Sequence, residues 1–148
     1  MYPLVKKRML LASATGMLFM AASCTPTEAL PAYDSMDDVY RAVDGHVGCA
    51  DHAQGQPISI STSIQPTGES RMCTKSVEIL WFQASETHQE ARSAAASAAD
   101  PSGAVYIVEG ANWFVADLSE VQQRSFPDRE VDMKELAKAL NARYSVEH

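Results

Sequence analysis

The sequence contains no apolar run long enough to cross a bilayer as a helix. The apolar core Met9 to Met20 has 12 residues, and even run on through Ala22 it falls short of the ~20 that a hydrocarbon core requires. Positive charge is also scarce, with 12 Lys and Arg against 19 Asp and Glu and a net charge of −7. Nucleic-acid binding depends on clustered cations, so the composition excludes nucleic acid as a partner. It likewise excludes docking on anionic headgroups through charge. There are only three cysteines, Cys24, Cys49 and Cys73, and none form the C-x-x-C pair of a redox site. No G-x-S-x-G elbow, phosphate-binding loop, dinucleotide fingerprint or H-E-x-x-H helix occurs. With those constellations missing, the expectation is a protein that is not an enzyme and carries no cofactor.

What is present at the start is a targeting pattern. Lys6, Lys7 and Arg8 form a basic region, Met9–Met20 an apolar core, and Ala21-Ala22-Ser23-Cys24 a small-residue end. The last four residues resemble the lipobox of bacterial lipoprotein signals, with Ala21 standing where leucine is usual. The resemblance implies a signal peptide over residues 1–23, a diacylglyceryl thioether on Cys24, cleavage before that residue, and acylation of the new amine by a chain such as palmitate. Two or three acyl chains, each at ~0.8 kcal/mol per buried CH2, hold a protein firmly where one does so only marginally. The partner implied is therefore the membrane, through lipid on Cys24, with the protein on the extracytoplasmic face. Without the three basic residues of the signal, nine cations face 19 acids, a charge of −10. That is a statement about solubility and the sign of partners rather than fold.

Residues 24–35 contain two prolines and no periodicity, and read as an extended tether. Residues 36–148 read as a single domain, long enough to bury a core. Ser35-Met36-Asp37-Asp38 matches a helix-capping pattern. Met36, Val39, Tyr40 and Val43 share one helical face, and Gly45 is the expected stop, giving a helix over 36–44. Strands are expected at 46–50, 58–64, 72–74, 77–83, 105–109 and 113–117. Turns are expected at 66–68 and 110–112. Both faces of 77–83 are largely apolar, which predicts a central strand covered on both sides. Thr87-His88-Gln89-Glu90 resembles another cap ahead of an alanine-rich helix over 91–99, which Asp100-Pro101 ends. A last helix is expected over 130–143, with Met133, Leu136, Ala137, Leu140 and Tyr144 on its apolar face. The expected fold is α+β, a small antiparallel sheet with helices packed on it and one disulfide.

Few residues qualify as a site. With Cys24 lipidated, Cys49 and Cys73 remain to pair, and a bridge over such a loop contributes about 3 kcal/mol. His46, Cys49, Asp51 and His52 form the one cluster of metal-ligating types, with Met72 as a possible soft ligand. No second ligand pair at standard spacing accompanies them, and oxidised Cys49 cannot coordinate. The expectation is therefore no metal, with His46, Asp51 and His52 as the candidates should one bind. His88, near a helix start, is expected at the surface. Trp81-Phe82 and Trp113-Phe114 each place neighbouring rings on opposite faces of a strand, and burial is the ordinary fate of such rings. Trp113 follows a turn, which makes it the aromatic most readily placed at the surface as a contact.

The segment Gly110-Ala111-Asn112-Trp113-Phe114-Val115 resembles a G-x-N-W-x-V signature of small uncharacterised actinobacterial lipoproteins. The resemblance implies an early helix, two cysteines, a hydrophobic strand, a helix and then this hairpin, with Gly and Asn setting the turn and Trp filling the core. No activity comes with it. The expected function is a membrane-anchored interaction module for an unknown envelope protein or small ligand, with an extracytoplasmic metal binder using the His46/His52 loop as the alternative. A small hydrolase ranks third, with no motif in its favour.

Overall fold

Ser35 accepts a hydrogen bond at its Oγ from the Asp38 amide at 3.2 Å and donates to Asp38 Oδ2 at 2.7 Å. This reciprocal cap fixes the start of the first helix. The computed structural model of the protein describes residues 28–49, 68–101, 103–121 and 131–148. Helix α1 (Met36–Val47) buries Met36, Val39 and Val43. It does not stop at Gly45. It continues through His46 and Val47, the first two residues of the segment expected as a strand at 46–50, and is capped by Gly48, whose φ of 70° suits a residue without Cβ. The expected strand at 58–64 lies outside the described residues.

Strands β1 (Gly68–Met72) and β2 (Val77–Phe82) form a hairpin. Gly68, expected in a turn, opens β1, and residues 73–74, expected as strand, lie in the connection. There Thr74 Oγ1 accepts from the amides of Ser76 and Val77. All six residues of β2 are buried, as the two-faced apolar pattern predicts. Helix α2 (Ser85–Ala96) starts two residues before Thr87 and has no side-chain cap at its N-terminus. Strands β3 (Val105–Glu109) and β4 (Trp113–Asp117) occupy the expected ranges.

Helix α3 (Met133–Ala139) is shorter than expected, capped by Asp132 and terminated by Asn141 at φ 51°. The Ala142 amide bonds to the Ala137 carbonyl and the Asn141 amide to the Lys138 carbonyl, the two bonds of a Schellman ending. The chain then runs on as strand β5 (Arg143–Glu147), so Tyr144 belongs to a strand and not to a helix face.

The five described strands form one antiparallel sheet in the order β1-β2-β4-β3-β5. Val77, Ile79, Trp81, Val108, Trp113 and Val115 face α1 and α3. Leu80, Phe82, Val105, Ile107, Phe114 and Ala116 face the alanines of α2. The small side chains of Ala91 and Ala95 let α2 lie close on the sheet. The result is an α+β domain with the sheet between two helical layers. Cys49, just past α1, is joined to Cys73, just past β1, by a disulfide. The bond closes a loop with a sequence separation of 24, a constraint that contributes about 3 kcal/mol by loop closure. It pins the end of α1 to the pole of the sheet where β1 ends and β2 begins.

Candidate functional site

At the opposite pole the β3–β4 hairpin takes hold of the chain that leads into α1. Asn112 makes two bonds to one residue: its Nδ2 donates to the Tyr33 carbonyl at 2.7 Å, and its Oδ1 accepts from the Tyr33 amide at 3.0 Å. The Trp113 indole N–H donates to the Pro31 carbonyl at 3.0 Å, and the Ala111 amide donates to the same oxygen at 2.8 Å. The Trp81 indole N–H donates to the Tyr33 carbonyl at 2.9 Å. The Tyr33 ring lies 5.4 Å from that of Trp113, and burial raises the Tyr33 phenol pKa. Backbone groups at 31 and 33 are thereby satisfied by groups 48 to 82 positions away, as buried polar groups require.

This clamp corrects two expectations. Trp113 is fully buried and is no surface contact, because its indole fills the core and its single N–H reaches Pro31. The segment expected to be free tether through residue 35 is already docked on the sheet from Pro31.

A second constellation lies under α2. Glu109 is buried, with Arg143 Nη2 at 2.7 Å, Arg92 Nε at 3.5 Å and His88 Nε2 at 3.6 Å from its carboxylate. Arg92 also donates to Ser145 Oγ at 2.8 Å and Glu147 Oε1 at 2.5 Å. The pairing follows from register, since Glu109 and Arg143 are opposite each other on β3 and β5. His88 is buried, not at the surface, with its ring 5.2 Å from Phe82 and 5.9 Å from Phe114. Burial lowers its pKa; Glu109 raises it in part, while Arg143 and Arg92 lower it further. A neutral imidazole beside a carboxylate held by two guanidiniums ties α2 to β3 and β5. Arg143 is the most open of these side chains, at 60 % exposure.

Glu78 on β2 is a third buried polar group, and it is fully enclosed. Burial pushes its pKa up to about 7. The Ser70 hydroxyl on β1 draws it back in part, without a well-formed hydrogen bond to either carboxylate oxygen. An acid so placed stays largely protonated at mildly acidic pH.

Clefts open on the surface of the described residues. One of about 310 Å³ runs between the end of α1 and the start of α3, beside His46, Val47, Asp132 and Glu135. One of about 530 Å³ lies beside Asp100, Gly103, Tyr106, Glu120 and His148. One of about 390 Å³ lies beside Val131, Lys134 and Tyr144. None of the three is lined by Glu109, His88, Arg92 or Arg143.

The metal candidates do not converge among the described residues. His46 is exposed at the end of α1, Cys49 is consumed by the disulfide, and Asp51 and His52 lie outside the described residues. Met72 pairs with Glu78 across β1 and β2, so it shares the α2 face of the sheet, whereas α1 and His46 belong to the other. No group of three or more His, Cys, Asp or Glu suited to a metal ion occurs among the described residues. Cys24 also lies outside them, and no described helix is long and apolar enough to cross a membrane.

The clamp partners Pro31 and Tyr33 and the ion cluster around Glu109 are the features that sequence reasoning misses. Asn112-Trp113 is legible as a turn and its aromatic, but the segment it grips is remote in sequence. No known family model matches the chain, and neither a curated protein nor a solved structure matches it.

Proposed function

We propose that the chain is an extracytoplasmic lipoprotein, anchored by lipid on Cys24, whose folded domain is a non-enzymatic interaction module. The observation that carries this reading is the order Lys6-Lys7-Arg8, apolar core, Ala22-Ser23-Cys24. It places a thiol nucleophile where a lipid group would be attached. The Cys49–Cys73 disulfide supports export, because such bonds persist in oxidising compartments. The acidic balance of the chain suits lipid chains, not charge, as the means of attachment.

The test is the intact mass and membrane partition of the expressed protein. The expected product begins at Cys24, carries the mass of two or three acyl chains, and sediments with envelopes. Cys24→Ser should leave the protein soluble or unprocessed. If that variant is cleaved like the parent and still sediments as firmly, the reading is overturned. For the interaction role, labelled envelope extract is titrated against the soluble domain, and a saturable signal is expected. The metal-binding alternative retains His46 with Asp51 and His52, and zinc retained in a native mass spectrum of the disulfide-bonded protein would favour it.

A further inference from the structure

The two ends of the sheet are chemically distinct, and the clamp joins the incoming chain to only one of them. Strand register defines the poles. Phe82, Glu109, Trp113 and Arg143 lie at one end, with the Gly110–Asn112 turn. Met72, Val77, Asp117, Val105 and Glu147 lie at the other. The disulfide, and the clefts beside His46 and beside His148, belong to this second pole. Pro31 and Tyr33 are bonded to the first.

We propose that the clamp fixes the orientation of the domain on the membrane, with the β3–β4 hairpin pole toward the bilayer and the disulfide pole presented outward to partners. The inference rests on lipidation at Cys24. Seven peptide units separate Cys24 from Pro31, which reach at most ~25 Å extended and about 15 Å as a flexible chain. A domain of this size has a diameter of about 35 Å. Turning the disulfide pole to the bilayer would require the leash to wrap half the circumference, about 55 Å by the same estimate. The clamped leash is too short by a factor of about two. It just permits the domain to lie on its side. Attachment at Pro31, rather than at the start of α1, thus removes five residues of slack at the point where slack controls tilt.

The experiment uses the lipidated protein beginning at Cys24 on zwitterionic vesicles containing an energy acceptor on the headgroup. A donor dye is placed on Ala111→Cys at the hairpin, or on His148→Cys at the far pole. Both sites are exposed, and the native cysteine pair is closed. Energy transfer from position 111 is expected to exceed that from 148 severalfold. Inserting about twelve Gly-Ser residues after Thr27 raises the extended reach of the leash to ~68 Å, beyond half the circumference, and the two signals should then draw together while the fold is untouched. Asn112→Ala should narrow the gap by a smaller amount. Equal transfer from both positions in lipidated, vesicle-bound protein would overturn the orientation and leave the anchor standing. Vesicle binding that persists in Cys24→Ser lacking residues 1–23 would instead overturn the anchor on which the orientation rests.

Discussion

Gly110 has no room for a side chain. A Cβ there would collide with the Trp113 indole nitrogen and fall 2.5 Å from the Pro31 carbonyl oxygen. The first neighbour is a fully buried ring and the second is backbone, so neither can yield cheaply. The constraint is close approach, and it acts at the centre of the clamp. Gly110→Ala should cost about 3 kcal/mol, at the upper end of overpacking penalties. It should also free the segment around Tyr33. Chemical denaturation measures the first effect. Amide exchange at Tyr33, whose N–H is bonded to Asn112, measures the second. A variant as stable as the parent, with Tyr33 still protected, would show that the hairpin does not depend on this contact. Asn112 acts differently, since its amide copies a strand partner for a single residue.

At the scale of elements, legibility follows the range of the determining contacts. Strands β3 and β4 are readable because Val105–Glu109 and Trp113–Asp117 are short apolar runs flanking a turn-forming Gly-Ala-Asn. The end of α3 is easily misread although its signal is local: Asn141 can adopt the left-handed ending, and Tyr144, Ser145 and Val146 suit a strand. The continuous spacing of Leu136, Leu140 and Tyr144 masks it. The end of α1 is obscured because Gly45 resembles a stop, yet the second glycine, Gly48, takes that role. The clamp and the Glu109 cluster are invisible in the sequence because they join residues 79 or 82 positions apart, or 34 in the case of Arg143. Residue type alone does not reveal such partners. The continuation of α1 past Gly45 yields a prediction. Gly45 is exposed inside a helix, and a methyl group on its Cα would meet nothing within 4 Å. Gly45→Ala should therefore stabilise by about 0.5–1 kcal/mol through backbone entropy. A lowered denaturation midpoint would mean that α1 does not continue through this position in solution.

The whole molecule sums two buried titrating groups whose effects on stability run in opposite directions with pH. Glu78 binds its proton more tightly when folded, with a pKa near 7 against 4.5 unfolded. Between those values the native state holds more protons than the unfolded state, so stability falls as pH rises and the loss is complete above about 7. The shift corresponds to a cost on the order of 3 kcal/mol. His88 is depressed below its ordinary 6.5. The unfolded state therefore takes up the proton first, and stability falls as pH drops below that value. Glu78→Gln copies the shape and neutrality of the protonated acid and keeps His88, so the difference between variant and parent from pH 5 to 8 reports Glu78 alone, and most of it should open between pH 5 and 7. The variant should match the parent near pH 5 and exceed it at pH 8, with a gap approaching 3 kcal/mol as the upper bound. Thermal melts of both proteins through this window, with the disulfide intact, make the comparison. Parallel curves would mean that Glu78 titrates normally and that water or a polar partner reaches it in the native state.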